Sequence, residues 1–305
     1  MLGESSTKAV RNGAQRERMT RVESDQGEEN VSTRHSTTSP TVESYSVGIA
    51  DYSLFRPNVP SSKTIIFVPG MACNRYGHPF DEQPKHAVKE ALFDIAVGTY
   101  NIVFPDIHQM ARLRGMDELP GSTVEQQTAR LSATIEALSP QISSEQILFV
   151  GQSLGCLTIA ALARDQMVSK RQTRCVLWGP PTYEGIEHRR KLVSMFAERE
   201  KTYVDEKGQG YVQFGNGRLM CVGPEYWASI DRASLREHWE AMTATYSDIT
   251  AFCASIDSFY PNNWHYVARH MPGVVRIEIP GSSHTFKPDE MKWTLRVGME
   301  ALLSR

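Results

Sequence analysis

The chain has 305 residues, of which 40% are hydrophobic and 22% are charged, and its formal net charge is −2. These values suit a globular enzyme with one large α/β domain or two small ones, and they argue against nucleic acid or an anionic membrane as the main partner. No apolar run approaches the roughly 20 residues that cross a bilayer, and no secretory signal is visible, so we expect a cytoplasmic protein. The five cysteines are scattered without metal-ligand spacing, so neither a disulfide framework nor a metal site is expected.

Residues 1–43 are rich in Ser, Thr, Glu, Arg and Gln and contain few large apolar side chains. Such a composition cannot bury enough apolar surface to offset the entropy of ordering the chain. We therefore predict a disordered N-terminal tail. The alternative is a segment that folds over the active site or against a second subunit.

Apolar runs typical of β-strands begin after the tail. Ser46–Phe55 alternates as a strand or hairpin does. The later runs are short, continuous and rich in β-branched and aromatic residues, as strands buried on both faces of a parallel sheet are. They are Thr64–Val68, Asn101–Phe104, Gln146–Val150, Arg174–Trp178, Ile249–Ala254 and Val274–Ile279.

Helical patterns separate most of these strands. The clearest is Thr123–Leu138, for which Ser122 is a plausible N-cap with Glu125 as its N3 partner. The other predicted helices are Pro84–Val97, Cys156–Ala163 and Asp289–Leu303. Alternating strands and helices predict an α/β fold with a mostly parallel central sheet flanked by helices, built from residues 44–181 and 247–305.

The segment 182–246 is too long for a single crossover helix. It carries several aromatic residues and the sequence GQGYVQFGNG, which reads as a hairpin between helical flanks. We predict a cap inserted over the carboxyl edge of the sheet, where α/β enzymes bind their ligands.

The strongest catalytic signal is the sequence Gly151-Gln152-Ser153-Leu154-Gly155, between the strand ILFV and a helix. A serine is a good nucleophile only when it is exposed, next to a base and close to oxyanion donors. A tight strand-to-helix turn supplies that geometry and places the Leu154 N–H at a helix N-terminus. We predict Ser153 as nucleophile and the Leu154 N–H as an oxyanion donor.

A second oxyanion donor is expected from the loop Pro69-Gly70-Met71-Ala72, which follows the strand TIIFV. Gly70 allows a sharp turn, after which the N–H of Met71 can point toward the serine. A simple tight turn is the alternative interpretation.

His284 follows the last predicted strand, and Asp257 ends the one before it, which preserves the order Ser…Asp…His. We predict His284 as the base and Asp257 as the carboxylate that accepts from its Nδ1–H. The main rival base is His108, which ends another strand and could instead line the pocket.

We expect three residues to contact the substrate, namely His108, Gln152 of the serine turn and Trp227 of the cap. The aromatic cap suits an acyl or polyketide-like chain, although packing within the cap explains those residues equally well.

These motifs resemble the α/β-hydrolase superfamily over roughly Ser46–Arg305. The resemblance is carried by GQSLG, PGMA, ASID and PGSSHTF. The last two segments also look like those of the acyl-carrier-protein thioesterases of bacterial luminescence operons. The resemblance implies an α/β-hydrolase fold with an inserted cap, a catalytic triad, no cofactor, and an ester or thioester substrate, either free or bound to a carrier protein.

The leading hypothesis is therefore hydrolysis of a medium or long acyl ester or thioester through an acyl-Ser153 intermediate. Two alternatives use the same site: transfer or cyclisation of the acyl group, and an elimination in which His284 and Asp257 act as base without a covalent intermediate. A non-catalytic ligand-binding homologue is the alternative from a different class.

Overall fold

The structure is a computed structural model of the chain. It describes the residues numbered 41–71, 73, 87–96, 98–109, 118–120, 122–142, 145–165, 173–199, 201–204, 210–213 and 219–303. The predicted tail lies outside these residues except for 41–43, which belong to a β-strand. No helix within the described ranges has both the length and the hydropathy that crossing a bilayer requires.

Twelve strands are present in this part of the chain. They are β1 (Thr41–Val47), β2 (Ala50–Arg56), β3 (Lys63–Val68), β4 (Asn101–Pro105), β5 (Glu118–Pro120), β6 (Gln146–Gln152), β7 (Thr173–Trp178), β8 (Lys201–Val204), β9 (Gly210–Gln213), β10 (Leu219–Cys221), β11 (Asp248–Ala254) and β12 (Val275–Ile279).

Eight helices accompany them over the same ranges. They are α1 (Ala87–Ala96), α2 (Val124–Leu138), α3 (Leu154–Arg164), α4 (Gly185–Arg199), α5 (Pro224–Arg232), α6 (Leu235–Thr245), α7 (Asn263–His270) and α8 (Pro288–Leu303).

The main sheet contains eight strands in the order β1-β2-β4-β3-β6-β7-β11-β12. β1 and β2 form an antiparallel hairpin, and β2 is antiparallel to β4. All other neighbours in this sheet are parallel. The predicted fold class, a mostly parallel sheet flanked by helices, is thus confirmed.

The two faces of the sheet carry separate helix layers. Ile66 and Val68 of β3 belong to the hydrophobic cluster that includes buried side chains of α2, α3 and α6. Phe67, between them, belongs to the cluster that includes those of α1 and α8. Successive residues of a strand point to opposite faces, so a run that is apolar at every position is what a doubly covered strand needs.

A second sheet has the order β5-β10-β9-β8. β9 pairs antiparallel with both β10 and β8, which agrees with the hairpin predicted around GQGYVQFGNG. β10 also pairs in parallel with β5, which precedes the predicted cap in the chain. Neither β5 nor β8 was predicted.

The predicted start of α2 is wrong by one residue. Thr123 is the N-cap, and its hydroxyl accepts from the Gln126 N–H at 3.2 Å while the Gln126 side chain accepts from the Thr123 N–H at 3.0 Å. Ser122 instead accepts from the Arg130 guanidinium at 2.9 Å. Both serine and threonine cap helices, and the glutamine that completes the reciprocal pair fits the threonine.

The site is positioned by the order of strands around β3. β3 lies between β4 and β6, so the chain leaves β3 on one side for β4 and later returns on the other side as β6. Connections from the carboxyl ends of β3 and β6 therefore diverge. Such a divergence opens a crevice in which α/β proteins place their ligands.

Candidate active site

Ser153 lies at the turn between β6 and α3, with φ 51° and ψ −122°. A positive φ is uncommon for a residue with a side chain, and the surrounding structure must hold it in place. Part of that support comes from β7, because the Ser153 N–H donates to the carbonyl oxygen of Trp178 at 2.8 Å. The predicted strand–turn–helix arrangement is present.

Gly155 allows this turn to sit close to the end of β3. A Cβ at position 155 would lie 2.2 Å from the carbonyl oxygen of Val68 and 2.6 Å from that of Pro69. Both atoms are backbone and cannot rotate away. The glycine is therefore required by the close approach of α3 to the loop after β3.

His284 and Asp257 meet Ser153 in a continuous line of hydrogen bonds. The His284 Nε2 lies 2.9 Å from Ser153 Oγ, and the His284 Nδ1 lies 2.8 Å from Asp257 Oδ2. The carboxylate is an acceptor, so Nδ1 carries the proton and Nε2 is left to accept from the serine. The side chain of His284 is 11% exposed and that of Asp257 is 1% exposed.

The Asp257 carboxylate also organises the loop that follows β11. Its Oδ1 accepts from the backbone N–H groups of Phe259 at 2.8 Å and Tyr260 at 2.9 Å. Its Oδ2 accepts from the Asn263 amide at 3.3 Å in addition to His284. These donors satisfy both oxygens of the buried carboxylate, as buried polar groups require.

The imidazole of His284 is held between an aromatic ring and a glycine. The Phe259 ring stacks on it with centroids 4.6 Å apart. Gly179, at the end of β7, has φ +55°, and a Cβ there would lie 3.1 Å from the His284 Nδ1 and Cε1. Any side chain at 179 would displace the imidazole.

The loop after β3 lies directly against the serine, since a Cβ at Gly70 would be 3.2 Å from Ser153 Cβ. Met71 follows Gly70, and its Sδ accepts from the buried Tyr226 hydroxyl of α5 at 2.7 Å. Leu154 is the first residue of α3, and the N–H of a first helical residue has no partner within its helix. The two predicted oxyanion donors therefore follow the carboxyl ends of neighbouring strands.

His108 forms a hydrogen bond with this loop. It is 5% exposed, and its Nε2 lies 2.8 Å from the carbonyl oxygen of Gly70. The carbonyl is an acceptor, so Nε2 is protonated and donates. It is His284, and not the rival His108, that contacts the Ser153 hydroxyl. That His108 contacts a substrate stays a prediction.

Acid should weaken the fold through His108. Burial lowers the pKa of His108 to about 4 from an ordinary 6.5. Between those values the unfolded chain binds the proton and the folded chain does not, so the free energy of unfolding falls as the pH falls. The loss of unfolding free energy should total about 3 kcal/mol by about pH 4.

The variant His108→Gln keeps a donor for the Gly70 carbonyl but does not titrate. Denaturant titrations at about pH 7 and about pH 4.5 should therefore show a smaller loss of unfolding free energy in this variant than in the wild type. An equal loss in both proteins would contradict this assignment.

The other two predicted substrate contacts also stay predictions. Gln152 is half-buried, and its side-chain oxygen is buried without a hydrogen-bond partner among the described residues, so a ligand could donate to it. Trp227 contacts Tyr226 edge to face, with centroids 5.1 Å apart. The Arg189 guanidinium lies 5.6 Å from the Trp227 ring centroid.

His188 of α4 lies beside the site, with its Nε2 3.1 Å from the Tyr260 hydroxyl. Several residues at the site were not singled out from the sequence, namely Gly179, His188, Phe259, Tyr260 and Asn263. The last three follow Asp257 within six positions, so a turn built around that carboxylate was the one local signal. Gly179 and His188 come from other elements and gave no local signal.

Similarity to solved structures identifies the fold of this chain. No protein-family model matches the chain, and no curated protein matches it. Among solved structures, the chain is similar to the esterase domain of a Rhodothermus marinus protein, with 16% identity, a TM-score of 0.59, and 87% of this chain and 98% of that chain covered. It is also similar to Est1E from Butyrivibrio proteoclasticus, with 12% identity, a TM-score of 0.58, and 87% and 99% covered.

A third similar structure is the α/β hydrolase GrgF from Penicillium sp. sh18, with 13% identity, a TM-score of 0.56, and 88% and 96% covered. The chain has the α/β-hydrolase fold. In α/β hydrolases the serine turn G-x-S-x-G connects a strand to a helix, and the partners follow in the order Ser…Asp/Glu…His. Ser153, Asp257 and His284 have this order and lie in one line of hydrogen bonds.

Proposed function

We propose that the protein is a serine hydrolase that cleaves an ester through an acyl-Ser153 intermediate. The observation that carries the proposal is the line of hydrogen bonds from Ser153 Oγ through His284 to Asp257, at 2.9 Å and 2.8 Å. It begins at a strained turn that presents the serine. A nucleophile, a base and a group that orients the base are the three parts that nucleophilic catalysis needs.

In the proposed reaction, His284 Nε2 takes the hydroxyl proton as Ser153 Oγ attacks the carbonyl carbon. Asp257 holds the imidazole in the required tautomer and stabilises the imidazolium that forms. The N–H groups of Met71 and Leu154 donate to the carbonyl oxygen as it becomes negative. His284 then gives its proton to the leaving alcohol, and a water activated by the same nitrogen releases the acid.

For the substrate we propose an ester of a medium or long acyl chain, with a thioester as the alternative leaving group. We also propose that residues 182–246 form the cap that selects the acyl chain. This is supported by the bond from Tyr226 to Met71, which places part of that segment at the loop after β3. The predicted segment also includes α6, but Trp239 and Met242 of this helix pack in the same buried cluster as side chains of α3. We therefore propose that the part of the segment before α6 contacts the acyl chain, while α6 belongs to the helix layer on the main sheet.

Labelling with a fluorophosphonate tests the proposal. Intact-protein mass spectrometry should show one adduct on the wild type and none on Ser153→Ala, because only an activated serine attacks the phosphorus. Ser132→Ala is the matched control, since Ser132 lies in α2 and its hydroxyl donates to Glu136, and it should label as the wild type does. Hydrolysis of p-nitrophenyl esters and acyl-coenzyme A thioesters of increasing length then defines the substrate. A wild type that takes no adduct and cleaves none of these compounds would contradict the proposal.

A further inference from the structure

The peptide between Gly70 and Met71 carries the second proposed oxyanion donor. Its carbonyl group belongs to Gly70 and its N–H group to Met71, and because a trans peptide is planar the two groups point in opposite directions. Whatever binds the Gly70 carbonyl oxygen therefore also sets the direction of the Met71 N–H. Within the part of the chain that the structure describes, no backbone acceptor is bonded to this N–H.

Two donors hold the Gly70 carbonyl oxygen. The His108 Nε2 donates to it at 2.8 Å, and the Cys73 N–H donates to it at 3.3 Å. The bond from Cys73 closes a turn over residues 70–73 and so fixes the loop only relative to itself. His108 instead follows β4, a neighbouring strand of the main sheet. Its bond therefore fixes the peptide relative to the sheet.

The segment that carries His108 is itself fixed by two other elements. The Asp106 N–H donates to the carbonyl oxygen of Asp51 in β2 at 2.6 Å. The Arg130 guanidinium of α2 donates to the Ile107 carbonyl oxygen at 2.8 Å. The His108 imidazole is buried between them, so it reaches the Gly70 carbonyl from a rigid support.

A second contact fixes the side chain of Met71 from α5. The buried Tyr226 hydroxyl donates to the Met71 Sδ at 2.7 Å. Three residues further along α5, the Ser229 hydroxyl accepts from the Val124 N–H at 2.8 Å and donates to the Glu125 carboxylate at 2.7 Å. Val124 is the first residue of α2, so its N–H has no partner within its own helix. The helix that holds Met71 is therefore anchored to α2.

We propose that His108 and Tyr226 are positioning residues of the oxyanion hole. His108 orients the Gly70–Met71 peptide through its carbonyl oxygen, and Tyr226 holds Met71 through its sulfur, so that the Met71 N–H points at the substrate oxygen that becomes negative. This inference rests on the proposed ester hydrolysis. Neither side chain touches the reacting atoms in this role, and contact of His108 with the substrate is the alternative that the test separates.

His108→Leu removes the donor and keeps a side chain of similar size. With p-nitrophenyl butyrate, kcat and kcat/KM should fall together by about 10- to 100-fold, somewhat less than the loss of a whole oxyanion donor costs. KM should stay within about 3-fold of wild type, because the hydrogen bond strengthens only in the transition state. His108→Gln retains an N–H of similar reach for the Gly70 carbonyl, so it should recover at least part of the lost kcat.

A pair of inhibitors separates orientation of the donor from general damage to the site. Ser153 Oγ adds to the carbonyl carbon of a butyl trifluoromethyl ketone, its proton passes to His284, and the ketone oxygen becomes the oxyanion. In His108→Leu the Ki of this ketone should rise by about the factor by which kcat/KM falls. The corresponding trifluoromethyl alcohol has no carbonyl to add to, and its Ki should not change.

A double-mutant cycle tests Tyr226. Tyr226→Phe removes the hydroxyl and keeps the ring, and kcat should fall by about 3- to 10-fold, the value of one neutral hydrogen bond. Met71→Leu removes the sulfur and keeps the N–H, so adding Tyr226→Phe to Met71→Leu should lower kcat no further. Tyr246→Phe is the matched control, since its buried hydroxyl donates to the Ile159 carbonyl oxygen, and it should retain wild-type kcat.

Wild-type kcat in His108→Leu would overturn the role of His108, as would an equal rise in the Ki of the ketone and the alcohol. A change confined to KM that differs between acyl chains would mean that His108 contacts the substrate instead. If His108→Leu does not fold, His108→Asn takes its place, because its amide is too short to reach the Gly70 carbonyl. An equal fall in kcat from Tyr226→Phe with and without Met71→Leu would overturn the role of Tyr226.

All of these results leave the proposed function intact as long as the wild type takes the fluorophosphonate on Ser153. A wild type without adduct and without turnover contradicts the proposed function itself, so the two failures are distinguishable.

Discussion

Ser153→Ala is expected to lower kcat for a p-nitrophenyl ester by about 10⁴- to 10⁶-fold, the range in which loss of a triad residue falls. The reason is structural. Ser153 Oγ is the atom that contacts His284 Nε2 at 2.9 Å, and alanine leaves the imidazole with no nucleophile to activate. Purified variant and wild type are compared under saturating substrate, with Tm measured for both.

The matched comparison is a double variant. Residues that act as one unit have non-additive effects, so Ser153→Ala combined with His284→Ala should be no slower than Ser153→Ala alone. A further large loss in the double variant would mean that His284 acts independently of Ser153. The proposed acyl-enzyme mechanism would then be wrong, and base chemistry at His284 without a covalent intermediate would take its place.

The largest effect on stability is expected from Gly155→Ala. The new Cβ would lie 2.2 Å and 2.6 Å from the backbone oxygens of Val68 and Pro69, so the start of α3 or the end of β3 must move. Overpacking against backbone should cost about 3 to 5 kcal/mol of unfolding free energy. In a domain of this size that corresponds to a Tm lower by roughly 10 °C. Thermal and denaturant unfolding measure the effect.

Gly298→Ala is the control for this substitution because it also replaces a helical glycine. Its nearest contact is a side-chain atom, Val176 Cγ2 at 2.9 Å, which can shift. Alanine gains about 1 kcal/mol of helix propensity over glycine, so the net change should stay within about 1 kcal/mol. Equal destabilisation by the two substitutions would mean that the contact with the β3 backbone is not what fixes the glycine at 155.

The sheet and the geometry at Ser153 could be predicted because the signals are local. A strand buried on both faces reads as a continuous apolar run, and the seven predicted strand regions all coincide with strands of the main sheet. The serine turn has a fixed spacing of glycines between a strand and a helix. With Ser153 as the nucleophile, the order Ser…Asp…His restricts the carboxylate and the histidine to the ends of the last two strands.

Other features depend on contacts that the local sequence does not encode. β5 and β8 have three and four residues, which is too short for a periodic pattern, and β5 is defined by its pairing with the distant β10. The sequence does show that Tyr260 is an aromatic residue three positions after Asp257. Its hydroxyl gains a partner only because α4 brings His188 from 72 positions away. Such contacts arise from tertiary packing and leave no pattern in either segment.

The four hydrogen bonds accepted by Asp257 give this residue a structural role as well as its proposed role in catalysis. The carboxylate holds a turn of the backbone as well as an imidazole, so its replacement would disturb the loop even in a protein that catalyses nothing. The Ser153 side chain does not hold the backbone in this way, because it is the Ser153 N–H, and not the hydroxyl, that donates to the Trp178 carbonyl oxygen. If the proposed catalysis were lost in a relative, we therefore expect the serine to change freely and the aspartate to be kept. We expect the residue at position 153, rather than the one at 257, to distinguish relatives that retain the proposed activity from those that have lost it.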